Sequence, residues 1–240
     1  MIKKIFLFAV IASALTLTAC DVLTNAATTV LTNVLSNEDI GNGLKSALDL
    51  GIGSGADALS QKGGFFNSPY KILLPTEARQ VAEKLRIIPG FNKVEDIIVE
   101  KINAGAEDAA VRAKPIFINA IKQMTFSDAL NILMGDKNAA TTFLKRVTYD
   151  QLYNEFKPSI IQSLDKYDAR KYWTDATTAY NRIPFIGKKA DPNLDDYVTK
   201  EALNGLFSMV EQKERSIRAN KTERTTTLLQ NVFAKQDAQQ

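Results

Sequence analysis

An apolar residue returns at every fourth position along the stretch that begins at Ile40. This spacing places the apolar side chains on one face of an α-helix, because residues four apart lie one turn above each other. Ser36 stands just before the stretch and can cap the helix, with Asp39 in its first turn. We therefore predict an amphipathic helix that starts after Ser36. The predicted buried face consists of Ile40, Leu44, Leu48, Ile52 and Ala56.

Three glycines lie in the second half of this stretch, at Gly51, Gly53 and Gly55. Each weakens a helix by about 1 kcal/mol relative to alanine, but each also lets another element approach closely. The next segment, KGGFFNSPYKILLP at residues 62–75, breaks the helical pattern with two glycines and two prolines. It predicts a loop or a short extended arm that is held in place by its aromatic residues.

The remaining sequence carries further helical patterns and no convincing alternating strand. The predicted class is all-α, with a single globular domain of about nine or ten helices over residues 37–234 and a disordered tail over residues 235–240. The alanine-rich helix that opens at Val94 is predicted to lie centrally and to continue up to Pro115, because small side chains let helices pack tightly.

Capping signals divide the second half of the domain. Thr148 and Gln151 have the spacing of a capping box and predict the start of a new helix. A break is expected near Asp168, and Thr222 is predicted to cap the last helix.

The N-terminus has the pattern of an export signal. Lys3 and Lys4 precede an apolar stretch over residues 5–17, which is too short for a membrane-spanning helix of about 20 residues. A charged start, a short apolar core and small residues before a cleavage point are typical of a secretory signal peptide. Residues 1–19 are therefore predicted to be a signal peptide.

The only cysteine of the chain, Cys20, follows this segment directly. The sequence LTAC at residues 17–20 resembles the bacterial lipobox, which implies cleavage between Ala19 and Cys20 and acylation of Cys20. Two or three acyl chains anchor a protein stably without a spanning helix. The alternative is a plain signal peptide that is followed by an unmodified cysteine.

Under the lipoprotein hypothesis, residues 20–36 are the lipidated cysteine and a tether, and membrane lipid is the partner of Cys20. The predicted location is the envelope of a Gram-negative bacterium, lipid-anchored to the inner or the outer membrane and facing the periplasm. Asp21 tends to retain lipoproteins in the inner membrane of enteric bacteria, but this rule does not extend to all lineages. Both membranes therefore stay open.

The charge balance changes if the signal peptide is removed. The full sequence has 30 basic and 27 acidic residues, and the loss of Lys3 and Lys4 would leave 28 basic residues. A mature chain this close to neutral gives no reason to expect a nucleic-acid partner.

Several stretches together resemble the bacterial domain-of-unknown-function 4197 family over about residues 36 to 234. These stretches are GLKSAL (43–48), INAGAEDAAVRA, TFSDALNIL, AATTFLKRVTYDQL and YVTKEALNGLFSMVEQKERSIRANKTERTTTLLQNVF. The resemblance implies an exported, mostly helical protein and supplies no assigned activity or catalytic residues. The chain departs from the family pattern at residues 103–107, where the family tends to have an arginine, and at residues 219–221.

The sequence contains no histidine, which excludes Ser-His-Asp catalysis, Cys-His catalysis and histidine metal ligation. Ser163 and Lys166 match the Ser-x-x-Lys pattern of penicillin-interacting enzymes, but the companion motifs are absent. We therefore interpret Ser163 as an ordinary helix residue. No cofactor is predicted.

Carboxylates are the remaining candidates for ligand or ion contacts. Asp191, Asn193 and Asp195 have the spacing of the first ligands of a calcium loop, but the turn glycine and the closing glutamate are missing. No metal site is therefore predicted, and an acidic residue at 195 or 196 is expected to cap the next helix.

Glu107 and Asp128 are the other weak candidates. Glu107 lies in the predicted central helix, where a carboxylate needs a partner. Arg112 and Lys114 are the basic candidates that follow it most closely in sequence, although a distant partner is equally possible. Glu214 and Arg218 are spaced i,i+4 and are interpreted as a surface ion pair.

Two functional hypotheses follow. The first is a non-catalytic binding or interaction module at a membrane surface, with an envelope protein or polymer as its partner. The second is a hydrolase that acts on an envelope polymer through paired carboxylates. The aromatic residues between 149 and 185 could line a groove, but their helical spacing favours a place in the core.

Overall fold

The computed structural model describes residues 36–185, 187, 189–191 and 193–237. In these ranges the regular structure is entirely helical, so the predicted all-α class is confirmed. The helices are α1 (Asn37–Ser60), α2 (Thr76–Leu85), α3 (Val94–Ala110), α4 (Ala113–Gln123), α5 (Phe126–Met134), α6 (Ala139–Lys166), α7 (Ala169–Asn181), α8 (Asp195–Ala219) and α9 (Thr227–Asp237), with a 3-10 turn at Lys221–Glu223. The predicted signal peptide over 1–19 and the tether up to residue 35, including Cys20, lie outside the described residues.

Helix α3 occupies the centre of the domain, as predicted from its small residues. It contacts α1, α2, α4, α6, α7 and α8. Ala106, Ala109 and Ala110 are fully buried, and Gly105 faces the side chains of Ser163 and Leu164 on α6. These small side chains let neighbouring helices come close to the α3 backbone, so the long helices α6 and α8 can pack against the same core.

Helix α1 begins directly after Ser36, with Asp39 in its first turn, and it buries the predicted face. The close approach expected at its glycines is also present. A β-carbon at Gly55 would lie 3.0 Å from Met209 Cγ, and one at Gly51 would lie 3.1 Å from Ile217 Cδ1, so both glycines face α8. Larger side chains at these positions would push α8 away from α1.

The predicted capping box at Thr148 and Gln151 is wrong. Helix α6 runs without interruption through both residues and also includes Pro158. Thr148 is buried, and its hydroxyl donates to the carbonyl of Leu144 at 2.7 Å, one turn back in the same helix. A threonine inside a helix can satisfy its hydroxyl in this way, so it carries the sequence signature of a cap without being one.

The break expected near Asp168 is confirmed. Helix α6 ends at Lys166 and α7 begins at Ala169, and Asp168 between them has a positive φ of 55°. Aspartate reaches this left-handed conformation more readily than most residues, so it can stand where two helices meet at a sharp change of direction.

Three other boundaries differ from the prediction. The helix from Val94 ends at Ala110, before Pro115, and Pro115 lies in the first turn of α4, where its missing N–H is harmless. Thr222 lies in the 3-10 turn, while Thr226 Oγ1 accepts the N–H of Leu229 and caps the last helix. That helix continues to Asp237, beyond the boundary at 234.

Candidate functional site

Glu107 is a buried carboxylate on the central helix α3, and its partners are backbone amides. Its Oε2 accepts the N–H of Gly63 at 2.9 Å, and its Oε1 accepts those of Phe65 and Phe66 at 3.1 and 3.2 Å. The residue is 7% exposed. The carboxylate therefore holds the loop that follows α1 against the central helix α3.

The two basic residues that follow Glu107 most closely in sequence bind elsewhere. Arg112 lies 3.9 Å from Glu155, and Lys114 lies 2.7 Å from Asp57. The loop can reach Glu107 because Gly63 adopts a positive φ of 82°, a conformation that glycine reaches readily. The sequence signal for this amide site is the pair of glycines at 63 and 64, because backbone amides can converge on one acceptor more easily where side chains are absent.

Glu214 and Arg218 on α8 form an ion pair, but the predicted surface location is wrong. Both residues are 7% exposed, and Arg218 Nη2 lies 2.9 Å from Glu214 Oε1. Helical spacing predicts that the pair can form, but it does not say which face of the helix is covered by other elements.

This pair joins the ends of two other helices. Glu214 accepts the N–H groups of Ala140 and Thr141 at the start of α6, at 2.9 and 2.8 Å. Arg218 donates to the carbonyls of Ile132 and Leu133 near the end of α5, at 2.7 and 3.2 Å. The anion thus lies at a positive helix end and the cation at a negative one, which is the stabilising arrangement for both.

Asp128 belongs to a capping box at the start of α5. Its Oδ2 accepts the N–H and the hydroxyl of Thr125 at 3.0 and 2.5 Å, and Thr125 Oγ1 accepts the N–H of Asp128 at 3.1 Å. These hydrogen bonds lower the pKa of the Asp128 carboxyl. The residue also lines a surface cleft, so it serves the fold and contributes to a cavity.

The acidic loop before α8 uses its oxygens to form turns. Asp191 Oδ1 accepts the N–H of Asn193 at 2.8 Å, and Asn193 Oδ1 accepts the N–H of Asp195 at 2.9 Å. Two of the three candidate calcium ligands are therefore bound to the backbone. Among the residues described by the structure, no three acidic or cysteine side chains group in a way that could hold a metal ion.

The predicted cap of α8 at residue 195 or 196 is wrong. Leu194 occupies the cap position, and no side chain caps the helix there. Asp195 and Asp196 lie one step later, in the first turn, where their negative charge still favours the positive end of the helix.

Asp195 is the first residue of α8 and is 7% exposed. Its Oδ1 lies 3.3 Å from Arg170 Nε, but the two groups lack the alignment of a hydrogen bond. Burial raises the pKa of the Asp195 carboxyl, and the positive charge of Arg170 opposes that shift. Asp195 thus shares Arg170 with Asp165.

Ser163 and Lys166 both bind the same oxygen of Asp108, at 3.1 and 3.0 Å. Hydrogen bonds with the Tyr167 hydroxyl and with Asp108 raise the pKa of the Lys166 ammonium. A serine nucleophile of the Ser-x-x-Lys type requires a lysine that can take up a proton. Ser163 is 5% exposed, and its hydroxyl donates a hydrogen bond to the Asp108 carboxylate, which agrees with the interpretation of an ordinary helix residue.

The aromatic residues between 149 and 185 divide between core and surface. Phe156, Trp173 and Tyr180 are buried, as expected from their helical spacing, and Tyr149 stacks on the ring of Phe207. Phe185 is fully exposed and has a positive φ of 61°. The buried members of this group therefore help to pack α6 and α7 into the core.

Two further side chains hold parts of the fold together and were not predicted from the sequence. The amide of Asn103 on α3 accepts the N–H of Ile72 and donates to its carbonyl, both at 2.8 Å, so it binds the extended segment before α2. Arg224 is 3% exposed and pairs with Asp237, the last residue of α9, at 2.7 Å. Neither contact has a local sequence signal, because each joins residues far apart or across a loop.

The clefts of the described surface include two open ones that border α6. The first lies between α6 and α8 and has a volume of about 340 Å³, with Lys145 and Glu211 on its walls. The second lies between α4 and α6, closes against the start of α5 and has a volume of about 310 Å³. We call the second one the α4–α6 cleft; its charged residues are Asp128 and Arg146. No helix among the described residues is both long and apolar enough to span a bilayer.

A protein-family model described as "Protein of unknown function (DUF4197)" matches residues 34–234. No curated protein and no solved structure matches the chain. The matched range begins just before α1 and ends within α9, so it coincides with the helical domain.

Proposed function

The chain belongs to the DUF4197 family, and we propose that it is a lipid-anchored binding module of the bacterial envelope. Its helical domain would be held at a membrane surface by acyl chains on Cys20 and would bind a partner in the periplasm. The observation that carries the anchoring is the sequence LTAC at residues 17–20, placed after a charged and apolar start.

The order of segments supports this arrangement. The family match begins at residue 34, so most of the predicted tether over residues 20–36 precedes the matched domain. A tether of that length is useful where a folded domain must stand clear of lipid headgroups. Several acyl chains would be needed, because one chain gives only marginal membrane binding.

The contacts of the buried acids weaken the hydrolase alternative. Glu107 binds three backbone amides, and Glu214 binds a guanidinium and the start of α6. A carboxylate hydrolase needs two carboxyl groups that face a shared substrate about 5 to 10 Å apart. Because each of these buried acids is already bound to the fold, neither supports the hydrolase hypothesis.

The anchoring is tested by the variant Cys20→Ser in bacteria fed an alkyne analogue of palmitate. The wild-type chain should be labelled, and Cys20→Ser should lose the label and accumulate as an uncleaved precursor, because the thiol is the lipid acceptor. Asp21→Asn is the matched control, since it alters the adjacent residue and keeps the cysteine, and it should label like wild type. Equal label in wild type and Cys20→Ser would refute the anchor.

A further inference from the structure

The α4–α6 cleft combines a guanidinium, primary amides and an apolar floor. Arg146 and Gln151 stand on α6, and Asn119 and Gln123 stand on α4. Met124 lies at the closed end of the cleft, at the junction between α4 and α5. The exposed polar side chains come from two helices that pack in the same core, so the fold sets which residues border the cleft.

Arg146 has unused donors. In the part of the chain that the structure describes, its guanidinium lies 5.5 Å from the centre of the Phe143 ring and makes no hydrogen bond or ion pair. Asp128 lines the same cleft, and its pKa is lowered by the hydrogen bonds from Thr125 and, to a smaller extent, by the positive charge of Arg146, but the two side chains form no ion pair within the described residues. A flat guanidinium beside an aromatic ring can receive a carboxylate through two parallel hydrogen bonds.

The amides of the cleft are also largely free. Gln123 donates to Asn119 Oδ1 at 3.4 Å, which leaves Gln123 Oε1 and Asn119 Nδ2 without partners among the described residues. The side-chain amide of Gln151 makes no hydrogen bond within those residues either. A primary amide presents a donor and an acceptor side by side, which is the pattern that pairs with a peptide group.

The floor of the cleft is apolar. Phe143 is half-buried, Val147 is 47% exposed, and Met124 is 4% exposed. An apolar side chain of a ligand would cover Val147 and Phe143 and remove their surface from water. Methionine adapts its shape to different apolar groups, so Met124 suits the closed end of such a site.

We propose that the α4–α6 cleft binds a short peptide segment whose carboxylate pairs with Arg146, whose peptide groups pair with the amides and whose apolar side chain covers Val147. The carboxylate of Asp128 in the same cleft disfavours a ligand with more negative charge, such as a phosphate ester. A volume of about 310 Å³ is at the lower end of small-ligand sites and holds only a few residues.

This inference deepens the proposed function, on which it rests for the premise that the domain binds a partner. The two fail separately, because acylation is measured at Cys20 and peptide binding is measured in the cleft. Lack of label in the wild type would refute the lipid anchor without bearing on the peptide site. Lack of peptide binding would refute the peptide site without bearing on the anchor.

The test uses the full chain in detergent with 13C-labelled methionine methyl groups. The chain has four methionines, and Met124 reports on the cleft while Met209, against α1, reports on the fold. The probes are N-acetyl-Ala-Ala-Leu with a free C-terminus, its C-terminal amide, and N-acetyl-Ala-Glu-Leu-amide. The first probe offers a terminal carboxylate and the third a side-chain carboxylate. Either group can be the carboxylate that pairs with Arg146.

Addition of at least one acidic probe should shift the Met124 signal and leave Met209 in place. The neutral amide should bind at least about tenfold more weakly, since a hydrogen-bonded charge is lost. Arg146→Gln should weaken binding of the acidic probe by about tenfold or more. Lys145→Gln is the matched control, because Lys145 is the neighbouring cation on α6 but lines the other cleft, and it should bind like wild type.

The Met209 signal shows whether each variant keeps its fold. The proposal is overturned if neither acidic probe moves Met124 at about 10 mM, a concentration well above the dissociation constant expected for one charged contact with apolar cover. Equal binding of the neutral amide, or equal binding by Arg146→Gln, would overturn it as well.

Discussion

Glu214→Ala should lower the free energy of unfolding by about 3 to 5 kcal/mol, because it leaves Arg218 buried without its counter-charge. It also removes the acceptor of the first N–H groups of α6, those of Ala140 and Thr141. The loss should appear as a fall in melting temperature on the order of 10 °C, measured by far-UV circular dichroism.

Helix α8 supplies a matched control for this prediction. Glu211 and Arg215 have the same i,i+4 spacing as Glu214 and Arg218, but their side chains are 34% and 51% exposed. Exposed pairs of this kind contribute about 0.3 to 0.5 kcal/mol, so Glu211→Ala should barely change the melting temperature. If the two variants melted alike, the buried pair would not tie α5, α6 and α8 together.

Glu107→Ala should lower the free energy of unfolding by about 2 to 4 kcal/mol. The change leaves the N–H groups of Gly63, Phe65 and Phe66 without their acceptor, and a buried amide that is left unpaired loses about 1 to 3 kcal/mol. Water can reach the amides of Gly63 and Phe66, which are only partly buried, and this limits the total. The midpoint of urea unfolding should fall while its slope stays constant.

Glu100→Ala serves as the comparison for Glu107→Ala. Glu100 lies two turns earlier on α3 and is exposed. Its removal should change the free energy of unfolding by less than about 0.5 kcal/mol, as for most surface substitutions. An unchanged urea midpoint in Glu107→Ala would show that the loop after α1 holds its position without this carboxylate.

The helical class could be predicted because it depends on local periodicity. Ile40, Leu44 and Leu48 mark the face of α1 whatever that face packs against, and the small residues around Ala106 indicate a crowded, central helix. Helix boundaries were harder to predict, because a threonine that can cap a helix can also donate its hydroxyl to a carbonyl one turn back in the same helix. Thr148 does the latter, and only the surrounding core decides between the two.

The burial of charged residues could not be predicted in the same way. The pairs 211/215 and 214/218 are identical in residue type and spacing, and they differ only in which side of α8 meets α5 and α6. Likewise, the sequence predicts that Glu107 needs a partner and offers Arg112 and Lys114 as candidates, whereas the fold supplies three backbone amides from residues 63–66. The contacts of Glu107 join residues more than forty positions apart, and the local sequence pattern carries no information about them.

The α4–α6 cleft shows the same limit for a candidate site. Asp128 could be singled out as an acidic residue in a helical stretch, and it lies on the cleft wall. Arg146 and Gln151 carried no motif that pointed to a ligand, since an arginine and a glutamine on a long helix are ordinary surface residues. They become candidates only when α4 packs beside α6 and brings Asn119 and Gln123 to the same cleft.

The intact mass of the wild-type chain purified from envelopes tests most directly whether the protein is a lipid-anchored module. We expect a chain that begins at Cys20, lacks residues 1–19, and carries the additional mass of a diacylglyceryl group with or without a third acyl chain. A mass equal to that of the unmodified polypeptide, either complete or cleaved near residue 20, would contradict the lipid anchor.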